Sequence, residues 1–279
     1  MTELPHPAVS PHPAVPAHPA APSPAVLPAA RSPIPPSRLP EPPARLPEPR
    51  SRLAEPGGRL AGLLAGVAAD RFPPADLGLE VLPRPPGGRL AAAVVGLTAY
   101  TVVAADVEAG WVREQLQPLD SLSLRMGPRF LVALADRVGA EPGNLDILLI
   151  APPRPAGPPA VADPVLAGLV RVGDDGQREH RRLARARRYR DDVRAYAMAG
   201  ALLILGRGLA GRWEVAVEVD EAYQGRGLAR RLVAAAPALV PPGEPLWAQI
   251  SPGNTASVRA FLAAGYRAAG AEILFIASR

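Results

Sequence analysis

Proline decides where this chain can fold. Of its 37 prolines, 18 lie before residue 58, and a residue with no backbone N–H and a fixed φ interrupts helices and inner strands alike. Residues 1–57 are therefore expected to form a disordered Pro/Ala-rich tail. It carries two short repeats, HPA from His6, His12 and His18, and an R-L-P-E-P unit from Arg38, Arg45 and Arg52 whose last copy reads RLAEP. Both lean towards polyproline and need no packed partner. Six further prolines between 151 and 164 read as a linker. They divide the folded part into a small N-terminal α/β region of unknown role, 58–162, and a C-terminal domain, 163–279.

Composition removes several chemistries. The chain has no cysteine, which excludes a disulfide scaffold, a thiolate metal site and a cysteine nucleophile. All 31 basic residues are arginine, so neither a lysine Schiff base nor a Walker-type phosphate loop can form. An arginine-only chain reflects codon preference, so the net charge of +5 is weak evidence for a nucleic-acid partner. His180 is the one histidine outside the tail, so no histidine triad and no metal site is expected. Outside the proline-rich tail, the longest uncharged stretch, Leu90 to Ala105, is shorter than the roughly 18–20 residues that span a bilayer. With no basic-flanked apolar leader at the start, the expectation is a cytoplasmic protein without a membrane partner.

With 48% hydrophobic residues there is material for a core. Periodicity predicts helices over Leu60–Asp70 and Phe130–Val138, one or two strands over Leu90–Val107, and a strand over Leu145–Ile150. Beyond the linker it predicts a strand over Val165–Val172 and a helix over Gln177–Arg188. Three strands then follow, Val193–Met198, Ala201–Arg207 and Arg212–Val219, joined by hairpin turns. The helix carries Arg178, Arg181, Arg182, Arg185, Arg187 and Arg188. Such a row can neutralise phosphates, but only Tyr189 interleaves with it and Asp191-Asp192 follow, so a solvated, salt-bridged face is the preferred reading.

The stretch Trp213–Ala236, WEVAVEVDEAYQGRGLARRLVAAA, reads as a strand, a glycine turn and a helix with Leu228, Leu232, Val233 and Ala236 on one face. Gly225 and Gly227 remove side chains where the chain enters the helix. That exposes several N–H groups at a helix N-terminus, a ready anion site, and Arg226, Arg230 and Arg231 add charge beside it. A phosphate is expected on residues 225–229. The spacing does not fit a dinucleotide fingerprint, because Arg230 stands where the third glycine belongs.

This segment resembles motif A of the GNAT superfamily of N-acetyltransferases, Q/R-x-x-G-x-G/A. Gln224, Gly227 and Ala229 occupy the signature positions, after a V-x-V at Val217 and Val219. Downstream, LWAQISPGNTASVRAFLAAGYRAAG resembles motif B: a strand Leu246–Ile250, then Asn254 as helix N-cap, a stripe of Val258, Phe261 and Leu262, and Gly265 at C′ followed by Tyr266. A last strand is expected over Ile273–Ile276. The resemblance covers about 163–279. It implies a mixed, mostly antiparallel twisted α/β sheet flanked by helices, opened between the motif A and motif B strands.

The resemblance also implies an acyl-CoA, acetyl-CoA by default, as acyl-donor substrate, and direct transfer to a small-molecule or protein amine. The pyrophosphate would lie on Gly225, Arg226, Gly227, Leu228 and Ala229, with Gln224 and Arg230 beside it and Asn254 and Phe261 in the cofactor wall. The pantetheine arm would pair with the edge at Val217 and Val219. Glu214 and Glu218, on one side of the motif A strand by period 2, are the candidate bases for the attacking ammonium. Many family members place a tyrosine seven positions after the motif B asparagine to protonate the departing thiolate. Here that position is Phe261, which leaves an unassisted thiolate, water, Tyr223 or Tyr266. A non-catalytic acyl-CoA-binding module is therefore the alternative to an N-acyltransferase.

Overall fold

The computed structural model describes residues 58–87, 89–117, 125–151, 153–154, 164–173 and 180–277. The tail expected over 1–57 and most of the Pro-rich linker lie outside them, as do Arg178 and Glu179.

Residues 90–105 are apolar without alternation because both faces of their hairpin are covered. Strands β2 (Leu90–Leu97) and β3 (Tyr100–Ala105) pair antiparallel. Ala93 and Val95 pack towards α1 (Gly58–Ala68). Ala92 and Val94 pack on the opposite face against Val112 of α2 (Ala109–Gln115) and Phe130 and Leu134 of α3 (Pro128–Val138). Alongside β3 lies β1 (Leu79–Leu82), parallel to it.

The sheet does not stop at the linker. Strand β5 (Asp146–Ala151) lies between β11 (Arg267–Ala277) and β10 (Leu246–Ile250), antiparallel to both. On the far side of β10 come β9 (Trp213–Val219), β8 (Ala201–Arg207), β7 (Asp191–Met198) and the two-residue β6 (Val170–Arg171). The short β4 (Ala140–Pro142) caps the outer end of β11. The described strands thus form one mixed sheet in the order β1-β3-β2-β11-β5-β10-β9-β8-β7-β6. The sheet runs across the division expected at 162: a buried strand from before the linker, β5, completes the ladder of two strands from after it, and the described residues from 58 onward fall in one compact unit.

Three helices flank the C-terminal half. On one face α6 (Leu228–Ala235) and α7 (Thr255–Ala263) cover a core of Leu203, Leu205, Trp213, Val215, Leu246 and Ala248. On the other face α5 (Arg181–Tyr189) lays Leu183 and Ala186 on Ala195 and Ile204. The expected strand Val165–Val172 is instead the short helix α4 (Pro164–Ala167) followed by β6. Proline favours the first helical position, and β6 is an edge where Val170 is 70% exposed, while Val165 and Leu169 pack on the neighbouring core from the helix and its exit. Of the stripe expected on α7, Phe261 is buried while Leu262 is 46% exposed.

Candidate functional site

Strands β9 and β10 run parallel and pair over three positions only, Leu246 with Trp213, Trp247 with Glu214 and Ala248 with Val215. Each strand continues along its outer neighbour: β9 stays paired with β8 to Val219, and β10 stays paired with β5 to Ile250. Sheet twist carries the two ladders apart from that point, so the sheet opens between 216–219 and 249–250. The inner edge of β9 beyond Val215 therefore presents N–H and C=O groups that no strand satisfies, a template for an extended ligand. A cavity of about 740 Å³ sits in the opening, walled by Val215, Val217, Glu218, Gln249, Asn254 and Phe261 among others.

The glycine turn lies beyond the end of β9, outside the cavity wall. After a 3-10 turn at Glu221–Tyr223, the Gln224 side-chain amide donates to the Val219 carbonyl at 3.1 Å and ties the turn to the strand. Gly225 and Gly227 adopt left-handed φ of 73° and 72°, which an L side chain takes only with strain. No heavy atom lies within 4 Å of where a Cβ would stand on either. Residues 221–227 are exposed while Leu228 is buried beneath α6. Among the described residues, none of the N–H groups of 225–229 donates to a backbone carbonyl. Gly227 is the N-cap of α6 without a side-chain cap, so the donors at this terminus stay available. Arg226 stacks over Tyr223, 5.7 Å from the ring centroid, and Arg230 is exposed on the helix surface.

The family model described as FR47-like protein matches residues 214–275. Solved structures similar to the chain include a GNAT-family protein from Novosphingobium aromaticivorans (24% identity, 50% of this chain and 68% of that one, TM-score 0.35). Others are a GCN5-related N-acetyltransferase from Kribbella flavida (18%, covering 53% and 64%, TM-score 0.31) and one from Sphaerobacter thermophilus (14%, covering 52% and 55%, TM-score 0.31). The chain thus spans less than two thirds of the latter two. No curated protein matches it.

Within the matched segment, Asn254 caps α7 as expected, its Oδ1 accepting from the Ser257 N–H at 3.1 Å. The helix ends in a Schellman motif: the Tyr266 N–H donates to the Phe261 carbonyl and the Gly265 N–H to the Leu262 carbonyl. The apolar contact that accompanies such an ending is the edge-to-face pair of Phe261 and Tyr266, 4.9 Å between centroids. Tyr266 is buried, its hydroxyl donating to the Val233 carbonyl at 3.1 Å, and burial raises its pKa well above the ordinary phenol value. That removes Tyr266 as a proton donor to the cleft. Tyr223 is absent from the cavity wall, whereas Tyr189 at the end of α5 is in it.

The two glutamates of β9 have different fates. Glu218 lies in the cavity wall, 38% exposed, with Arg182 Nε at 2.5 Å and His180 Nε2 at 3.6 Å. Glu214 is corrected as a candidate base. It is 2% exposed and accepts from Arg190 Nε at 2.8 Å, Arg212 Nε at 2.9 Å and the Leu209 N–H at 3.3 Å. Its lone pairs are spent on donors that cannot leave a low-dielectric site cheaply. The network continues from Arg212 Nη2 to Glu272 Oε1 at 2.6 Å, and the Gln249 amide also donates to Glu272. Burial alone would lower the Arg212 pKa; Glu272 and Glu214 outweigh it and raise it. This buried chain staples β9, β10 and β11 together just short of the opening.

Sequence reasoning missed a second carboxyl that faces the cleft. Asp146 heads β5, opposite Glu272 on β11, and borders both the main cavity and a recess of about 130 Å³ that adjoins it. Its pKa is pushed up from 3.8 to about 6, first by burial and then by the Glu272 and Glu214 charges, against the opposing pull of Arg185. No residue among those described hydrogen-bonds its side chain. The available signal was an acidic residue interrupting the apolar run Leu145–Ile150.

Proposed function

We propose that the protein is an acyl-CoA-dependent N-acyltransferase, with acetyl-CoA as donor and an amine as acceptor. The observation that carries this reading is the unfilled opening between β9 and β10 ending beside a bare glycine turn. A diphosphate fits the free N–H groups of 225–229, and a peptide-like tether fits the free edge of β9 at Val217 and Val219. A backbone N–H of that edge then lies where the thioester oxygen gains charge.

Proton handling falls to the cleft wall. Asp146 takes one proton from the acceptor ammonium, a task suited to a carboxyl titrating near 6. The amine nitrogen then bonds to the acyl carbon, the C–S bond breaks with its electron pair on sulfur, and the nitrogen loses its second proton to solvent. Tyr189 is the phenol assigned to supply a proton to the departing sulfur and recover one from solvent. Glu218, paired with Arg182, holds charge balance in the wall.

An acyl-CoA-binding module without turnover is the second reading, favoured by Phe261 in the place of the usual phenol. Acetyl-CoA binding by calorimetry and thiol release against an amine panel separate the two: binding without release supports the module. Gly227→Asp puts a carboxylate and a strained Cβ at the turn, and acetyl-CoA affinity is expected to fall at least a hundredfold. Unchanged affinity refutes the phosphate assignment.

A further inference from the structure

The cleft has two chemically distinct approaches. Trp213, Val215, Val217 and Val219 face α6 and α7 in an apolar core. Glu214 and Glu218 face the other way and meet Arg190 and Arg182, next to and within α5. The glycine turn opens α6, so a donor anchored there enters from the apolar face. The acceptor is left the approach under α5, through the gap in the sheet.

That approach is walled by arginine. Arg181, Arg185 and Arg188 recur four and three residues apart on one helical face and all border the cavity. Unlike Arg182, none of the three forms an ion pair with a carboxylate among the described residues. Arg185 and Arg188 instead lie over the Tyr189 ring, 5.1 and 5.8 Å from its centroid, which leaves each guanidinium's hydrogen-bond donors free while stacking orients it. Facing this row are Asp146 and Glu218. An acceptor entering here meets surplus positive charge beside a single unpaired carboxyl.

Resting on the N-acyltransferase reading, we propose that the acceptor is a small amine that also carries a carboxylate, its ammonium directed to Asp146 and its carboxylate to Arg185 and Arg188. A polyamine would set a second cation against this row, and an arylalkylamine a ring, and neither makes the guanidinium–carboxylate contact that the row offers. Planar guanidinium forks suit a carboxylate in two-point contact, and Gln249, Ser251 and Asn254 add polar groups to the wall.

The test measures thiol release from acetyl-CoA with the full chain and four probes, glycine, L-glutamate, glycinamide and putrescine, alongside calorimetric binding of acetyl-CoA. The expected result is a kcat/KM at least tenfold higher for glycine or glutamate than for glycinamide and putrescine. Arg185→Gln with Arg188→Gln should raise the acceptor KM tenfold or more and leave the acetyl-CoA KM in place. Arg185→Lys, which keeps the charge but loses the fork, should fall between. Equal or better turnover of glycinamide or putrescine overturns the proposal, as does an arginine pair whose loss moves the acetyl-CoA KM instead. Acetyl-CoA binding with no release to any probe also overturns it and leaves the fold's donor site standing. Absence of acetyl-CoA binding is the distinct result that brings down the transferase reading itself.

Discussion

At pH 8 the Asp146 carboxylate carries a charge that its surroundings disfavour, and the cost can be worked out. Its pKa rises from 3.8 to about 6 in the folded protein. At about 1.4 kcal/mol per tenfold change in proton affinity, that is roughly 3 kcal/mol. The carboxyl is only partly withdrawn from water, so solvent screening cuts this to about half, ~1.5 kcal/mol. The folded state holds the proton more tightly than the unfolded chain, so Asp146 favours folding below pH 4, and that contribution is lost as pH rises from about 4 through 6. Asn has the same shape and no charge, so Asp146→Asn is expected to be near neutral at pH 4 and to stabilise by about 1.5 kcal/mol at pH 8. Urea unfolding at both pH values reads the difference directly. The same substitution should reduce kcat/KM by at least a hundredfold and abolish a rise in wild-type activity centred near pH 6. A stability change that is the same at both pH values refutes the electrostatic argument. Retained activity with an unchanged pH profile refutes the assignment of Asp146 as proton acceptor.

Other perturbations test the frame around the site. A Cβ at Gly208 would stand 2.2 Å from the Glu214 carboxyl carbon, so Gly208→Ala should displace that carboxylate from Arg212 and Arg190, costing on the order of 3 kcal/mol by chemical denaturation. Tyr266→Phe loses the bond to the Val233 carbonyl and should cost about 1 kcal/mol without altering the pH dependence of turnover; a lost alkaline limb would return Tyr266 to the mechanism. Asn254→Ala removes the cap of α7 and should cost about 1 kcal/mol, read as a lower unfolding midpoint.

Local rules carried much of this protein. Gly225 and Gly227 were legible because left-handed φ and a bare helix entry are properties of a few consecutive residues. Asn254, Gly265 and the Phe261–Tyr266 spacing were legible because one helix and its Schellman ending fix them. Period 2 placed Glu214 and Glu218 on one side of β9, and there the sequence ran out. One is clamped between Arg212 and Arg190 while the other borders the cavity.

Membership of the sheet was likewise beyond local reach. The prolines between 151 and 164 do interrupt the backbone, as the residues themselves require, yet an interruption of the chain is no interruption of hydrogen bonding. Strand pairing joins residues far apart in sequence, and β5 takes its place between β10 and β11 because its two apolar faces are buried only there. The amino-acid order thus determined the turn, the caps and the apolar faces, each set within a few residues. The three-dimensional fold decided which carboxyl meets the cleft, because burial and neighbouring charge come from strands and helices that the chain brings together only on folding.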